Sequence, residues 1–347
     1  MENIVILKYT HECKELWDEF VKNGVLSTIY HTRKFINYHP NNRFTDNSIL
    51  LFKENELICV VPACKKKQVI QGTTYHPDGD IIIDPDEFST FNQKPSTPYF
   101  SYLGATYGGP VFLKKYFQIR YVSIMIDKIM QYYNNEIEFR LANNIYFEDN
   151  IFMVYSLLGT KLRMIPEMSW YIKTNDEFID NIQNKRNRSN LIKVIEDPSI
   201  LCYQTLDDNK YKLFYSILEK NLSVNHMSIP THTLHELLLL KSILENNASL
   251  YIVEKNETML GGVYVVKVTS VCWYTFYISR NIDINNSSLA IPYLMYTIAN
   301  DAKKEGVKYV DYGITTEDRG TILNSGLADF KERSLGGTAN SRFLFVK

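Results

Sequence analysis

The chain has 347 residues, of which 45% are hydrophobic and 22% are charged, and its formal net charge at pH 7 is −1. This composition is typical of a globular protein with a substantial core, and it excludes a strong whole-molecule attraction to nucleic acid or anionic lipid. The length favours two domains. The five cysteines are scattered without a CxxC pair, which argues against a disulfide framework and a metal site.

The N-terminus, Met-Glu-Asn-Ile-Val, has neither the basic nor the apolar segment of a signal peptide. Along the chain, no run approaches the ~18 apolar residues that a membrane-spanning helix needs. We therefore expect a cytoplasmic protein without a membrane span.

Short strands and amphipathic helices alternate in the first half. In chain order they are a strand at 3–9, a helix at 12–21 ended by Gly24, strands at 48–52 and 57–62, a helix at 116–133, a strand at 136–141 and a short helix near 149–158. A polar, turn-rich stretch at 67–98 interrupts them. A loop of this length is either a substrate-side lid or structural filler, and both interpretations stay open.

The second half repeats this order of elements in its pattern, which predicts two similar α/β units packed around a cleft. Its first elements are a strand at 168–172, a helix capped by Asp176 that runs into a basic stretch at 185–193, a strand at 200–204, a helix at 211–221, a loop at 226–232 and a helix at 234–244.

Residues 249–313 are the most regular part of the sequence. They predict strands at 250–254, 262–268 and 271–279, then a polar loop, a helix at 288–304 and a strand at 307–312. The first three strands would be antiparallel, and the last would run parallel to the third. Free backbone N–H groups at the start of the helix attract phosphate or pyrophosphate. The candidate residues for such a site are Arg280, Asn286, Ser287 and Ser288.

Three short motifs resemble those of a known family. They are Tyr107-Gly-Gly-Pro-Val111, the basic stretch Lys185-Arg-Asn-Arg-Ser-Asn-Leu-Ile-Lys193, and Tyr309-Val-Asp-Tyr-Gly313 followed by Phe330-Lys-Glu332. In this order they resemble the Gly-Pro-Val signature, the basic helix segment, and the aspartate–aromatic–glycine and Phe-Lys elements of FemAB-like transferases. Over nearly its whole length, the chain resembles this branch of the GNAT (Gcn5-related N-acetyltransferase) superfamily.

The resemblance implies a mixed-sheet α/β fold with two tandem GNAT-like domains, an acceptor-side domain at 1–165 and an acyltransferase domain at 166–347. It implies transfer of an acyl or aminoacyl group to an amine, at a site that faces the interdomain cleft. The sequence departs from the family in two places. The loop before the core helix contains no glycine, and Phe112-Leu-Lys-Lys115 stands where the family has an acidic residue.

The third motif supplies the catalytic candidates. Lys331 lies where the resemblance places a lysine near the acyl-transfer site, and its charge can stabilise an oxyanion or a phosphate. Asp311 ends a core strand and can orient the amine or take its proton, and Glu317 is a further candidate for the base. The structural alternatives are an ordinary surface lysine and a carboxylate that accepts backbone N–H bonds.

The basic stretch is a candidate phosphate site. Guanidinium forks match phosphate oxygens, so Lys185, Arg186 and Arg188 can bind the diphosphate of a nucleotide-linked substrate. The alternative is a solvated helix face, which is the usual environment of a charge run.

The resemblance also places an aromatic and basic segment at 28–39 beside the acceptor cleft. Within it, Arg33 and His39 are candidate substrate contacts, and His39 can hold a phosphate or act as a general base. Tyr107 can line the same cleft. A structural role is the alternative for all three residues.

We interpret the chain as an N-acyltransferase that moves an acyl group from acyl-CoA, with acetyl-CoA as the first choice, to a nucleotide- or lipid-linked amino sugar in cell-surface polysaccharide synthesis. One alternative is FemX-like transfer from aminoacyl-tRNA to a peptidoglycan precursor. Another is a non-catalytic module that binds a nucleotide sugar or a partner. The sequence has no heptad run long enough for a tRNA-binding coiled-coil arm, which favours acyl-CoA. No metal and no DNA partner is expected.

Overall fold

The computed structural model describes residues 4–40, 43–66, 98–101, 104–285 and 287–347. Its strands are β1 (Ile4–Lys8), β2 (Phe44–Asp46), β3 (Ile49–Lys53), β4 (Glu56–Val61), β5 (Cys64–Lys66), β6 (Tyr99–Phe100), β7 (Val111–Phe112), β8 (Ile137–Leu141), β9 (Arg163–Lys173), β10 (Ile200–Thr205), β11 (Ala248–Lys255), β12 (Thr258–Lys267), β13 (Cys272–Arg280), β14 (Tyr309–Ile314), β15 (Thr316–Glu317), β16 (Ile322–Leu323) and β17 (Thr338–Val346).

Helices pack on both sides of these strands. The α-helices are α1 (Lys14–Asn23), α2 (Arg33–Ile36), α3 (Ile119–Tyr132), α4 (Phe152–Gly159), α5 (Phe178–Asn181), α6 (Lys185–Glu196), α7 (Asp208–His226), α8 (Leu234–Leu244), α9 (Ala290–Lys304) and α10 (Ser325–Asp329). A π-helical turn at Phe330–Ser334 follows α10. Nearly all of the stretch at 67–98, and with it the predicted lid or insertion, lies outside the described residues.

The predicted core of the second half is confirmed. Strands β11, β12 and β13 are antiparallel neighbours, and β14 runs parallel to β13 after the crossover through α9. Strand β11 is apolar on both faces because both are covered: Leu250 and Ile252 belong to the core with α7 and α8, whereas Tyr251 and Val253 belong to the core with α9. A sheet with helices on both faces requires this continuous apolar pattern.

The first half contains a comparable crossover. Strand β6 pairs in parallel with β8, and α3 lies between them in the chain. One apolar face of α3, with Val122, Met125 and Ile129, packs into the core that β3, β4 and β8 also line. The fold class is therefore a mixed α/β sheet with a strand–helix–parallel-strand unit in each half.

One continuous sheet joins the two halves. Among the described strands its order is β10-β11-β12-β13-β14-β9-β17-β8-β6-β5-β2, and β1, β3, β4 and β7 form a second sheet. The C-terminal strand β17 pairs with β9 on one side and with β8 of the first half on the other. The predicted boundary between residues 165 and 166 falls inside β9, and it stays a prediction.

Two local predictions were wrong. Asp176 caps no helix: α5 begins at Phe178 after Glu177, and a separate helix, α6, begins at Lys185. The break arises because the Asn184 side chain accepts the N–H of Asn187 and starts a new helix there. In addition, α7 continues to His226, into the predicted loop, and ends at Met227 in the left-handed conformation.

Candidate active site

The sheet opens between β13 and β14. These strands pair only from Cys272 opposite Tyr309 to Tyr274 opposite Asp311, although β13 continues to Arg280 and β14 to Ile314. The register of β14 against β9 also shifts between Asp311 and Ile314. Asp311 therefore stands at the point where two parallel strands separate, and backbone groups beyond it have no partner on that side among the described strands.

Asp311 is fully buried and receives hydrogen bonds from both halves of the protein. The hydroxyls of Tyr107 and Tyr146 donate to Oδ2 at 2.9 and 2.7 Å, and the backbone N–H of Gly313 donates to Oδ1 at 2.7 Å. A carboxylate offers about four acceptor positions, so about one remains for another donor. Asp311 thus links the halves and keeps limited capacity to bind an amine.

Lys331 is also buried, at the π-helical turn that follows α10. Its ammonium group donates to the carbonyl oxygens of Tyr312, Gly313 and Ile314 at 2.6, 3.1 and 2.9 Å. Burial lowers the pKa of Lys331 to about 8, although the nearby Asp311 favours the charged form. The lysine therefore bonds the carbonyl groups of β14 where that strand has separated from β13, and it titrates close to neutral pH.

Polar side chains cross the same face of five adjacent strands around these two residues. The strand registers align Tyr274 with Asp311, Asp311 with Tyr171, Glu167 with Arg342, and Leu344 with Arg140. We call the following set the polar row: Tyr274 of β13, Asp311 of β14, Ser169 and Glu167 of β9, Arg342 of β17 and Arg140 of β8.

The polar row lies at the junction of the two halves. Arg342 Nε donates to Glu167 Oε2 at 2.8 Å, and Arg140 Nε lies 3.1 Å from the same oxygen. Burial raises the pKa of Tyr274 to about 12, and the charges of Arg342, Asp311, Arg140 and Glu167 also act on this phenol. Tyr274 remains partly exposed, so the row reaches solvent at this residue.

Sequence reasoning missed Tyr274, Glu167, Arg140 and Arg342 as site residues. The local signal was polar residues at every second position of β9, Glu167 and Ser169, in a strand that is otherwise largely apolar. That pattern identifies a polar face, but only the pairing with β17 and β14 brings Arg342 and Asp311 onto it.

The basic stretch lies beside the turn that holds Lys331. The N–H of Asn184 donates to the carbonyl of Arg333 at 3.1 Å, and the amide of Asn187 donates to the Ser334 hydroxyl at 2.8 Å. Lys185 and Arg186 are exposed at the start of α6. Their exposed side chains are accessible to an anion, and a phosphate contact by them stays a prediction.

Arg188 is placed differently within this stretch. Its guanidinium donates to the carbonyl oxygens of Asp180 and Ile182, at 2.6 Å and at 3.1 to 3.2 Å. These contacts hold the connection between α5 and α6, so the geometry of Arg188 supports a structural role. Its phosphate contact stays a prediction.

Arg33, a first-half candidate, is enclosed by aromatic rings. The Arg33 guanidinium is fully buried between the rings of Tyr9 and Trp17, 3.3 and 3.8 Å from their centroids, and it pairs with Asp46 at 2.6 Å. This environment supports a structural role for Arg33. A substrate contact by Arg33 stays a prediction.

His39 lines a cavity of about 310 Å³ that Tyr107 also lines. Its Nε2 contacts the carbonyl oxygen of Gly104 at 2.8 Å, so Nε2 carries the proton and Nδ1 is the acceptor. Burial lowers the pKa of His39 to about 4, and the imidazole is neutral at pH 7. A neutral ring gives no charge attraction to phosphate, whereas its Nδ1 lone pair can accept a hydroxyl or amine proton.

The candidate donor loop is compact. The Arg280 guanidinium contacts the hydroxyl of Ser287 at 3.3 Å, and the N–H of Ser287 donates to the carbonyl of Ile284. Ser287 is buried, Ser288 is exposed, and Asn286 lies outside the described residues. Pro292 contributes no N–H to the start of α9, which leaves fewer backbone donors for an anion.

Glu317 is exposed on the small hairpin of β15 and β16, where Asn324 donates to it at 2.8 Å. Among the described residues, no cluster of His, Cys, Asp and Glu has the arrangement of a metal site. In the described part of the chain, no helix combines the length and apolarity that crossing a bilayer requires.

The sequence matches no family model and no curated protein. Among solved structures, the chain is similar to FemX, with a TM-score of 0.65 and 13% identity over 99% of this chain and 97% of that one. It is also similar to L-PGS from Bacillus licheniformis, with a TM-score of 0.56 and 7% identity over 98% and 92% of the two chains.

A third similar structure is a tandem GNAT protein from the clavulanic acid biosynthesis pathway, with a TM-score of 0.51 and 7% identity over 99% of this chain and 97% of that one. At these identities the likeness shows the fold alone. The chain therefore shares a mixed α/β fold with FemX and with this tandem GNAT protein, which is the fold class that the sequence motifs implied.

Proposed function

We propose that the protein is an N-acyltransferase that transfers an acyl group from acyl-CoA to the amine of an amino sugar. The observation that carries the proposal is the opening between β13 and β14, with Asp311 and Lys331 at its start. In α/β folds, polar groups at strand ends beside such an opening form the usual reaction site.

The opening fits a donor with an extended amide chain. Beyond Tyr274, no strand in the described part of the chain pairs with β13 on the side of β14, so its backbone groups can bond an extended chain as a further strand would. The pantetheine arm of coenzyme A has such amide groups. Its thioester would then lie at the start of the opening, next to Asp311 and Lys331.

The reaction needs no covalent enzyme intermediate. The deprotonated amine attacks the thioester carbonyl, the C–S bond breaks, and coenzyme A leaves as the thiolate. The Lys331 charge stabilises the oxyanion that forms on the carbonyl oxygen. The free acceptor position of Asp311 orients the amine, and the amine proton passes to a base directly or through water. Asp311 is the first candidate for that base, and Glu317 is the second.

The acceptor is proposed to enter from the junction of the halves. Tyr107 and His39 line one cavity, and Tyr107 also donates to Asp311. Aromatic rings together with a neutral imidazole suit a sugar ring, since they offer apolar faces and a hydroxyl acceptor. The exposed Lys185 and Arg186 are placed to meet the diphosphate of a nucleotide- or lipid-linked carrier.

Calorimetric titration with acetyl-CoA and free coenzyme A at moderate salt tests the donor. We expect micromolar binding of both, followed by release of coenzyme A when an amino sugar is added. Absence of binding would contradict the acyl-CoA proposal.

The alternatives give different results in the same experiments. A product that forms only with charged tRNA and a peptidoglycan precursor would support the FemX-like alternative. Tight binding of a nucleotide sugar without turnover from any donor would support the non-catalytic module. The glycine-free loop and Pro292 are the features that favour these alternatives.

A further inference from the structure

The Tyr274 side chain lies across the opening between β13 and β14. It extends from the last residue of β13 that pairs with β14. A Cβ added to Gly313 would lie 3.3 Å from the Tyr274 hydroxyl oxygen, so the phenol rests against Gly313. Gly313 is two residues beyond Asp311, in the part of β14 that no longer pairs with β13. The hydroxyl group therefore reaches from one strand to the other at the start of the opening.

The position of this phenol is fixed by its ring. The Tyr274 ring packs edge-on against the rings of Tyr107 and Phe276, with centroid distances of 6.1 and 6.2 Å. Tyr274 is nevertheless partly exposed, and the hydrogen bonds among the described residues leave its hydroxyl unused. The ring contacts thus hold an accessible O–H donor in a set place beside Asp311.

Lys331 has no N–H left for a direct bond to a reacting oxygen. An ammonium group carries three N–H donors. In Lys331 these donate to three carbonyl oxygens, those of Tyr312, Gly313 and Ile314. The charge of Lys331 can still act through space on an oxyanion, but a donor aimed at that oxyanion has to come from another group.

The Tyr274 phenol suits a donor that keeps its proton. Burial raises the pKa of Tyr274 to about 12, so the hydroxyl is protonated at pH 7. An ordinary thiol such as cysteine has a pKa of about 8.5. Proton transfer from this phenol to a leaving thiolate is therefore unfavourable by roughly a thousand-fold or more. The same phenol can donate a hydrogen bond to an oxyanion without losing its proton.

We propose that the Tyr274 hydroxyl donates a hydrogen bond to the thioester carbonyl oxygen and to the oxyanion that forms there when the amine attacks. The proton stays on the phenol, and the C–S bond breaks with its electron pair going to the thiolate. The bond strengthens as charge develops on the oxygen, so Tyr274 acts as a catalytic residue. The inference rests on the proposed function in taking acyl-CoA as the donor.

Infrared spectroscopy of bound acetyl-CoA with carbon-13 at the thioester carbonyl tests the bond directly. A hydrogen bond lowers the stretching frequency of a carbonyl group. We expect a lower frequency in the wild-type complex than in free acetyl-CoA, and a return toward the free value in Tyr274→Phe. The hydroxyl makes no bond within the described residues, so this variant should fold as the wild type does.

Binding and turnover give a second, quantitative measurement. In calorimetry, Tyr274→Phe should bind acetyl-CoA at most about ten-fold more weakly, the range for one neutral hydrogen bond. The kcat for coenzyme A release with glucosamine should fall on the order of 100-fold, as for the loss of one oxyanion donor. A larger effect on kcat than on binding is the expected signature, because the bond is strongest in the transition state.

Tyr171→Phe is the matched control. Tyr171 is a partly exposed tyrosine aligned with Asp311, but it lies on β9, on the side of β14 away from β13. Its variant also loses one phenol hydroxyl beside Asp311. It should leave the carbonyl frequency and kcat unchanged.

An equal carbonyl frequency in the wild type and Tyr274→Phe would overturn the inference. If kcat nevertheless fell, Tyr274 would be assigned to protonation of the leaving thiolate instead. Coenzyme A release by the wild type would leave the transferase standing in either case. A frequency shift that depends on Tyr274 without any release would support the hydrogen bond and refute the transfer, whereas absence of acetyl-CoA binding would refute both.

Discussion

At the scale of single residues, the burial of Lys331 makes the free energy of unfolding depend on pH. Its pKa falls from 10.5 to about 8 on folding, so the unfolded chain holds this proton more tightly than the native protein does. Below about pH 8 the lysine is charged in both states, and the native state bears the full cost of burying the charge. Between about pH 8 and 10.5 only the native state loses the proton, and the free energy of unfolding rises.

We therefore predict that the wild type gains up to about 3 kcal/mol of unfolding free energy relative to Lys331→Met between pH 8 and 10.5. Denaturant titrations of both proteins across this range measure the difference. Subtracting the unfolding free energy of Lys331→Met from that of the wild type removes the contribution of the titratable groups that both proteins contain. Parallel pH profiles would show that the native pKa of Lys331 is not lowered.

Asp311 provides a second prediction at this scale. Tyr107→Phe and Tyr146→Phe each delete a hydrogen bond to a buried carboxylate, so each should lower the free energy of unfolding by about 1.5 to 3 kcal/mol. Because both phenols donate to one oxygen, the double variant should deviate from the sum of the single variants. Urea unfolding of the four proteins measures the coupling.

The control for this pair is Tyr312→Phe. Tyr312 is as buried as Tyr107, but its hydroxyl has no hydrogen-bond partner within the residues that the structure describes. Its removal should cost less than about 0.5 kcal/mol or stabilise the protein slightly. A cost in Tyr312→Phe equal to that in Tyr107→Phe would assign the effect to packing rather than to Asp311.

At the scale of elements, Gly261 sets how closely α9 approaches the sheet. A Cβ at this position would lie 2.8 Å from the carbonyl oxygen of Ser279 and 3.3 Å from the Cβ of Ala290. The start of the core helix therefore depends on a glycine in β12, whereas the loop before the helix contains none. The glycine that permits this close helix–sheet packing lies in β12 rather than in the loop.

Gly261→Ala should move the start of α9 and lower the free energy of unfolding by about 1 to 3 kcal/mol, the usual cost of overpacking. If the proposed function holds, binding of acetyl-CoA should weaken as well. Gly159→Ala is the matched control, because nothing lies within 4 Å of its added Cβ. That variant should be neutral or slightly more stable, and destabilisation of both variants alike would contradict the argument.

At the scale of the whole molecule, β17 makes the halves mutually dependent. It pairs with β9 and with β8, so neither half completes its part of the large sheet without the C-terminal strand. The contacts of Asp311 with Tyr107 and Tyr146 reinforce this junction. A shared sheet should make unfolding of one half destabilise the other.

We predict a single unfolding transition in differential scanning calorimetry, with the calorimetric enthalpy close to the van't Hoff enthalpy. Two resolved transitions would show that the halves are stable separately. Tyr107→Phe tests the same coupling, since it should lower the midpoint of the one transition without splitting it.

The sequence by itself determined the elements whose cause is local. The apolar strands predicted at 250–254 and 262–268, which correspond to β11 and β12, and the amphipathic α3 form because hydrophobic periodicity acts within a short window. The motifs around Tyr107, Asp311 and Lys331 also indicated the fold, whereas the opening between β13 and β14 appears only in the structure. Helix ends were less predictable where a side chain decided them, as Asn184 does for α6.

Only the tertiary structure decided which polar groups meet. Glu167 and Arg342 are 175 residues apart in the chain, and a strand pattern does not reveal which strand lies beside it. Burial likewise separated residues of the same charge: Lys185 and Arg186 are exposed, Arg33 is enclosed by two rings, and Arg342 is buried and pairs with Glu167. Desolvation and partner geometry, which set the chemistry of these groups, arise only when distant segments pack together.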